Sequence, residues 1–219
     1  MVKNSKHAFW QALVFTILVF VLGIFLGFFL ENSRYDKIEI AVYDSEINLL
    51  DEQLRDRVTQ DFRVNCELAS QSLFDFADQI YTEALNLEEY DSASKLGDGL
   101  KAVHRRYDLL RMMLWLESIE IRDRCGTEFH TVVYFYDYDL EDLNVNAEQI
   151  FLGRMLEDMK EKNKDKMLLI PIAGNLDLAS IDLILKDYGI EELPVILIDE
   201  DEIVSDLITF DELEQKIFG

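Results

Sequence analysis

Residues 188–199 read Tyr188-Gly189-Ile190-Glu191-Glu192-Leu193-Pro194-Val195-Ile196-Leu197-Ile198-Asp199, and their order decides how the C-terminal part of the chain is built. Gly189 is free to take positive φ and so ends a helix. The aliphatic run after Pro194 predicts a compact strand. Proline has no N–H to give to a ladder, so Pro194 belongs at the mouth of that strand rather than inside it.

Working outward, the last ninety residues alternate between strand and helix patterns. Thr131-Val132-Val133-Tyr134-Phe135-Tyr136 is β-branched and aromatic, a strand by type. Asn146 reads as a helix N-cap with Gln149 three residues on, and Ile150, Phe151, Met155, Leu156 and Met159 read as the buried stripe of that helix. Met167 to Ile172 predicts a second strand and Ser180 to Tyr188 a short helix. Pro194 to Asp199 predicts a third strand, the acidic run Asp199-Glu200-Asp201-Glu202 a turn, Glu202 to Leu207 a fourth strand, and Phe210 to Phe218 a closing helix.

That order, βαβ followed after a helix by ββα, together with the Tyr188 to Pro194 segment, resembles the thioredoxin-like superfamily over about Phe129 to Phe218. The expected fold class is an α/β thioredoxin-like domain over residues 127–219, preceded by a transmembrane helix and a long antiparallel helical hairpin. In that family a Cys-x-x-Cys opens the helix after the first strand, where the helix dipole and backbone N–H groups depress a thiol pKa. The corresponding stretch here is Leu143-Asn144-Val145-Asn146, which has no sulfur. Thiol–disulfide exchange needs an attacking thiolate, so the resemblance implies a redox-inactive member with no catalytic residue.

The resemblance also implies that the loop before the proline lies beside the start of the first helix and pairs with an extended peptide. Leu193 and Pro194, with Asn144 and Asn146 opposite, are thereby marked as a peptide-binding edge, or else the loop is a fold corner. Cys125 lies at the opposite end of the first strand, without a neighbouring resolving cysteine. Asp137, Asp139, Glu141 and Glu148 occupy positions 1, 3, 5 and 12 of a calcium-loop spacing. Asp142 stands where that loop needs glycine and a strand precedes it, so the reading is a solvated acidic loop. No metal site and no cofactor is expected.

Before the sheet region the pattern is helical. Ile40, Tyr43, Ile47, Leu50, Leu54 and Val58, then Cys66, Ala69, Leu73, Phe76, Ile80, Ala84 and Leu87, recur at three- and four-residue steps. No Gly or Pro interrupts Phe28 to Leu96, which predicts a long helix, straight or kinked, rising directly from the membrane span. Ser92, Ser94, Gly97 and Gly99 place a turn at about 90–99. A second helix follows, with Leu100, Val103, Tyr107, Leu110, Leu114 and Ile121 on one stripe and Leu109, Met113 and Leu116 widening it. Arg105-Arg106 reads as a solvated helix turn.

Residues 32–126 thus form a helical hairpin. In an ideal hairpin residues equidistant from the turn face each other, and the midpoint of 66 and 125 falls inside the turn. Cys66 and Cys125 are therefore candidates for a disulfide at the base of the hairpin, the other reading being two buried thiols. An oxidised pair places the region outside the cytosol.

Residues 1–8 form a short tail. From Ala8 to Leu30 no residue is charged, and as a helix this segment spans about 34 Å against a hydrocarbon core of roughly 30 Å. Residues 9–31 are expected to cross the bilayer once, with Trp10 and Tyr35 as interfacial anchors. Cleavage as a signal peptide is disfavoured by the length of the apolar region. Lys3 and Lys6 on one side balance Arg34 and Lys37 on the other, and the free amino terminus tips the orientation towards an N-terminus in the cytoplasm of a cell-membrane protein. Gly23 and Gly27 form a GxxxG spacing through which two such helices can approach closely as a homodimer.

The chain of 219 residues carries a formal charge of −23. Lys3 and Lys6 are the charged residues of 1–30, so −25 falls on the rest. That surface repels nucleic-acid phosphates. Three functions fit this reading. The first is a membrane-anchored, redox-inactive thioredoxin-like binding or scaffold module with residues 32–219 outside the cytoplasm and a protein or peptide partner. The second is a thiol–disulfide accessory using Cys66 and Cys125, and the third a structural membrane assembly protein.

Overall fold

A computed structural model describes residues 9–27, 51, 53–55, 58, 64–91, 97–126, 128–138, 140 and 142–219. Residues 28–31 of the expected membrane span, the stripe from Ile40 to Leu50, the polar anchors Arg34, Tyr35 and Lys37, the hairpin turn at 92–96, and Asp139 and Glu141 lie outside the described residues. The chain divides into two units, Met1–Asn48 and Leu49–Gly219.

In the first unit Phe9–Gly27 is a helix, α1, with mean hydropathy 2.5 and exposed side chains, long and apolar enough to cross a membrane. Thr16, its one hydroxyl residue, donates to Ala12 O at 2.9 Å and so hides its polarity within the helix.

The second unit begins with two long helices, α2 (Cys66–Asp91) and α3 (Gly97–Cys125). Cys66 and Cys125 are joined, with an S–S distance of 2.01 Å and a Cα–Cα distance of 5.6 Å. Ala69, Leu73, Phe76 and Ile80 form the buried stripe of α2 as expected.

The helix before α2 does not run on into it. Asn65 is non-helical, its Oδ1 accepts from Leu68 N at 2.8 Å, and its carbonyl accepts from Ala69 N at 3.0 Å, so it caps a new helix. Arg55 Nη1 donates to Ser72 Oγ at 2.9 Å. Seventeen residues of continuous helix would separate those residues by about 25 Å, so Arg55 and Ser72 do not lie on one continuous helix. Arg55 also pairs with Glu117 of α3 and lies over the Phe76 ring. Leu54 and Val58, expected in the buried stripe, are exposed in consequence, because the residue that meets the pair of helices is Arg55.

Helix α3 is hidden on two faces. Val103, Tyr107, Leu110, Leu114 and Ile121 are buried as one stripe. The widening is not through Leu109, Met113 and Leu116, of which Leu116 is exposed, but through Asp108, Arg111, Met112, Trp115 and Ser118, all buried. That second face lies against the sheet: α3 packs on its second strand, and the Trp115 ring meets Phe135 edge-on at 6.1 Å.

The sheet has four strands, β1 (His130–Tyr136), β2 (Met167–Ala173), β3 (Val195–Ile198) and β4 (Glu202–Val204), in the order β2-β1-β3-β4. β1 and β2 are parallel, with Val132 opposite Leu169, and are joined through α4 (Leu143–Asn163). β3 runs antiparallel to β1 and to β4, and follows α5 (Ala179–Asp187). Helix α6 (Phe210–Phe218) closes the chain behind a capping box of Thr209 and Glu212.

Alternation along the strands divides the sheet. Val132, Tyr134, Ile196 and Ile198 pack with Leu152, Met155, Leu156 and Met159 of α4 and Leu213 and Ile217 of α6. Ile150 and Phe151, expected in the α4 stripe, are half exposed, since the face that meets the sheet starts one residue later, at Leu152. β4 ends at Val204 rather than Leu207, which is exposed. Pro171 lies in β2, an edge strand, where a missing N–H is tolerated.

The opposite end of the sheet is locked to α3. Asp199 and Glu200 in the β3–β4 turn take positive φ, 49° and 61°, a costly conformation for residues with a Cβ. Arg122 of α3 bonds both: Nη1 meets Asp199 Oδ1 at 2.9 Å and Thr131 Oγ1 at 3.0 Å, and Nη2 meets Glu200. Trp115 Nε1 also donates to Glu200. The acidic run is the β3–β4 turn, held by a cation from the helix pair.

Candidate functional site

The start of α4, the loop after β2 and the loop before β3 enclose a groove of about 540 Å³. Val145 comes from the first turn of α4, Gly174 and Asn175 from the end of β2, and Ile190 to Leu193 from the loop preceding Pro194. Each is positioned by a local rule. Gly174 N donates to Tyr136 O at 2.8 Å, ending the β1–β2 pairing. Asn175 Oδ1 accepts from Tyr138 N at 2.8 Å, which turns the chain after β1. The Leu193–Pro194 peptide is cis.

Gly174 stands in close approach to two leucine side chains. A Cβ there would lie 2.6 Å from Leu193 Cδ1 and 3.3 Å from Leu185 Cδ1, so the glycine lets Leu193 lie across the end of β2.

The structure brings Leu193 to the groove and buries Pro194 behind it. Asn144 and Asn146 sit on the same helical turn as Val145, Asn144 exposed and Asn146 half-buried, but Val145 is the residue of that turn that lines the groove. The helix begins at Leu143 rather than Asn146, because Asp142 caps it: its Oδ1 accepts from Asn144 N at 2.8 Å and Val145 N at 3.4 Å. An aspartate at this place also sets a negative charge on the positive end of the helix dipole. The Asn144 and Val145 N–H groups are therefore already taken by Asp142. Gln149, expected as the capping partner, instead holds the end of β1: Asp137 N donates to Gln149 Oε1 at 2.9 Å and Gln149 Nε2 donates to Asp137 O at 2.8 Å.

The groove is apolar at its floor, through Val145, Leu185 and Leu193, and acidic at its border, through Asp137, Glu191 and Glu192. Burial raises the Asp137 carboxyl above the usual range. The N–H groups of Glu191, Glu192 and Leu193 donate to no backbone carbonyl among the described residues. No sulfur is among the described residues that line the groove. It can take an apolar side chain and pair with an extended backbone.

Sequence reading missed the polar cluster beneath the helix pair. Asp108 is 1 % exposed and accepts from Arg111 Nη1 at 3.0 Å. Burial raises its pKa from 3.8 to about 6, partly offset by the Arg111 charge. An Asp and an Arg three residues apart in an acidic chain look like a solvated ion pair, and only the sheet packed on that face of α3 makes them buried. Arg105, read as solvated, donates to Asp177 O at 3.1 Å and ties α3 to the loop after β2.

Among the described residues no three or more acidic, His or Cys side chains are grouped to hold a metal ion. No family model matches the chain, and no curated protein matches it.

Proposed function

We propose that this chain is a membrane-anchored, redox-inactive thioredoxin-like module that binds an extended segment of a protein partner, with residues 32–219 outside the cytoplasm. The observation that carries the reading is the groove at Val145 and Leu193, where the N–H groups of Glu191, Glu192 and Leu193 meet no backbone carbonyl among the described residues. The strand order β2-β1-β3-β4, with one parallel and two antiparallel pairs and Pro194 leading into β3, supports the likeness to thioredoxins. The first turn of α4, where that family has its sulfurs, is Leu143-Asn144-Val145-Asn146. The bond between Cys66 and Cys125 favours the outward orientation, because disulfides persist in oxidising compartments.

A photoreactive amino acid at Glu192, in native membranes, tests the groove. The module predicts a discrete adduct that disappears when Leu193→Asp is added, and none from the same group at Leu183, which is exposed on α5. Equal adducts from both positions, indifferent to Leu193→Asp, would sink the idea.

Self-association through α1 is a second reading. Gly23 and Gly27 lie on one face, and a Cβ at either meets nothing within 4 Å. Gly27→Ile should then abolish concentration-dependent dimerisation of the intact chain in lipid.

A further inference from the structure

Between α2, α4 and the edge strand β2 lies a second cavity, of about 230 Å³. Protein interiors are close-packed, and a cavity of about 150 Å³ is enough to admit benzene, so this space exceeds a packing defect. Its walls are Ile80 of α2, Leu114 of α3, Leu156 of α4, and Leu169 and Pro171 of β2. One charged group is buried in it, the Arg111 guanidinium, which is 9 % exposed.

Small residues hold the space open where the helices meet. Ala77 and Ala84 line it from α2 and Gly153 from α4. Gly153 has no steric reason to be glycine: a Cβ there would meet only Tyr134 Cε1, at an ordinary 3.9 Å, and its φ is not positive. A glycine inside a 21-residue helix weakens it relative to alanine, so the empty volume comes at a cost in helix stability that packing does not require.

The polar features lie together. Tyr134 and Tyr136 are stacked with centroids 5.9 Å apart and both line the cavity. Tyr134 gives its hydroxyl to Gln149 O at 2.8 Å; of the charged residues lining the space, Arg111 is buried, Lys160 half-buried and Glu157 exposed at the mouth. Arg111 Nη1 binds Asp108, and a guanidinium carries five N–H donors in a planar fork suited to carboxylates. Asp108 and the Tyr136 hydroxyl are the partners of that fork among the described residues, which leaves further N–H groups of the guanidinium for a carboxylate. Lys160 spans from α4 to Asp78 of α2 at 2.9 Å and lies over the Tyr81 ring, holding the two helices across the cavity.

We propose that the cavity between α2, α4 and β2 is a binding site for a small organic acid with a flat or short apolar body, its carboxylate received by Arg111 and its body by the Leu114, Leu156 and Pro171 walls. The site is separate from the groove at Leu193 and does not depend on the reading given to that groove.

The test uses the full chain in detergent micelles with 3-phenylpropionate as probe and 3-phenylpropanol as its uncharged counterpart, followed by calorimetry and by perturbation of Tyr134 and Tyr136 resonances. The acid should bind saturably, about tenfold or more tighter than the alcohol, as a charge-assisted contact requires. Gly153→Leu, which fills the space, should abolish binding of both while the Cys66–Cys125 bond still forms. Should that variant fail to fold, Ala84→Leu fills the cavity from the other helix. The double variant Asp108→Asn with Arg111→Met removes the buried pair together, avoiding an orphaned charge, and should equalise acid and alcohol. Absence of saturable acid binding to the wild-type chain, or affinity unchanged in a folded cavity-filling variant, or acid preference kept in the double variant, overturns the proposal.

Discussion

Replacing Asp108 with Asn isolates the one carboxylate that α3 buries against the sheet. Its pKa is raised from 3.8 to about 6, by burial first and against the pull of Arg111. The folded chain therefore holds this proton more tightly than the unfolded chain does. Between pH 4 and pH 6 the unfolded state has released it while the folded state still binds it, so unfolding releases a proton and stability falls as pH rises. The stabilisation is fully present below about pH 4 and is gone above about pH 6 to 7. A shift of that size corresponds to about 3 kcal/mol across the window. The assay is urea unfolding of the full chain in micelles at intervals from pH 4 to pH 8, read through Trp115, whose environment against Phe135 is lost on unfolding. Titration of the other acids is common to both proteins, so the difference curve between wild type and Asp108→Asn is the measure. Wild type should lose about 3 kcal/mol relative to the variant on going from pH 4 to pH 7. Parallel curves would show that Asp108 titrates normally and that the α3–sheet contact is wetter than described.

Three other outcomes follow from the same packing. Cys66→Ala with Cys125→Ala opens a loop of sequence separation 59, which should cost about 4 kcal/mol by chain entropy, with far-UV helicity kept and the urea midpoint lowered. Arg122→Met leaves Thr131, Asp199 and Glu200 without their shared cation. It should cost about 2–3 kcal/mol, with hydrogen exchange rising first in the β3–β4 turn. Asp142→Ala removes the cap of α4 and should cost about 1 kcal/mol, while exposing N–H groups whose exchange reports the fraying directly.

Much of the fold was written in local pattern. The strands announced themselves through β-branched, aromatic and aliphatic runs, and α6 through the helical run from Phe210 to Phe218. The Cys66–Cys125 pairing followed from hairpin geometry, since equal distance from a turn means equal height. What the pattern hid were tertiary effects. Unbroken helical periodicity before Cys66 concealed the new helix start at Asn65, because Asn within a helical run is weakly disfavoured but is a strong cap. Asp108, Arg111 and Ser118 interrupted the apolar stripe of α3, so its sheet-facing side read as solvent. The cap of α4 lies four residues earlier than Asn146, at Asp142, because Asp and Asn are equally good caps by residue type. Of the candidate site, Leu193 was legible from its place before Pro194. Gly174 was not, since its role is to make room for Leu193, a contact between segments distant in sequence.

Sided thiol labelling in intact cells tests most directly the proposal that the disulfide-stapled helix pair and sheet lie on the outer side of a membrane. A membrane-impermeant maleimide should leave Cys66 and Cys125 unmodified until an impermeant reductant is added, and then modify both in the denatured chain. Labelling without reductant would contradict the staple, and labelling that requires permeabilised cells would contradict the outward orientation.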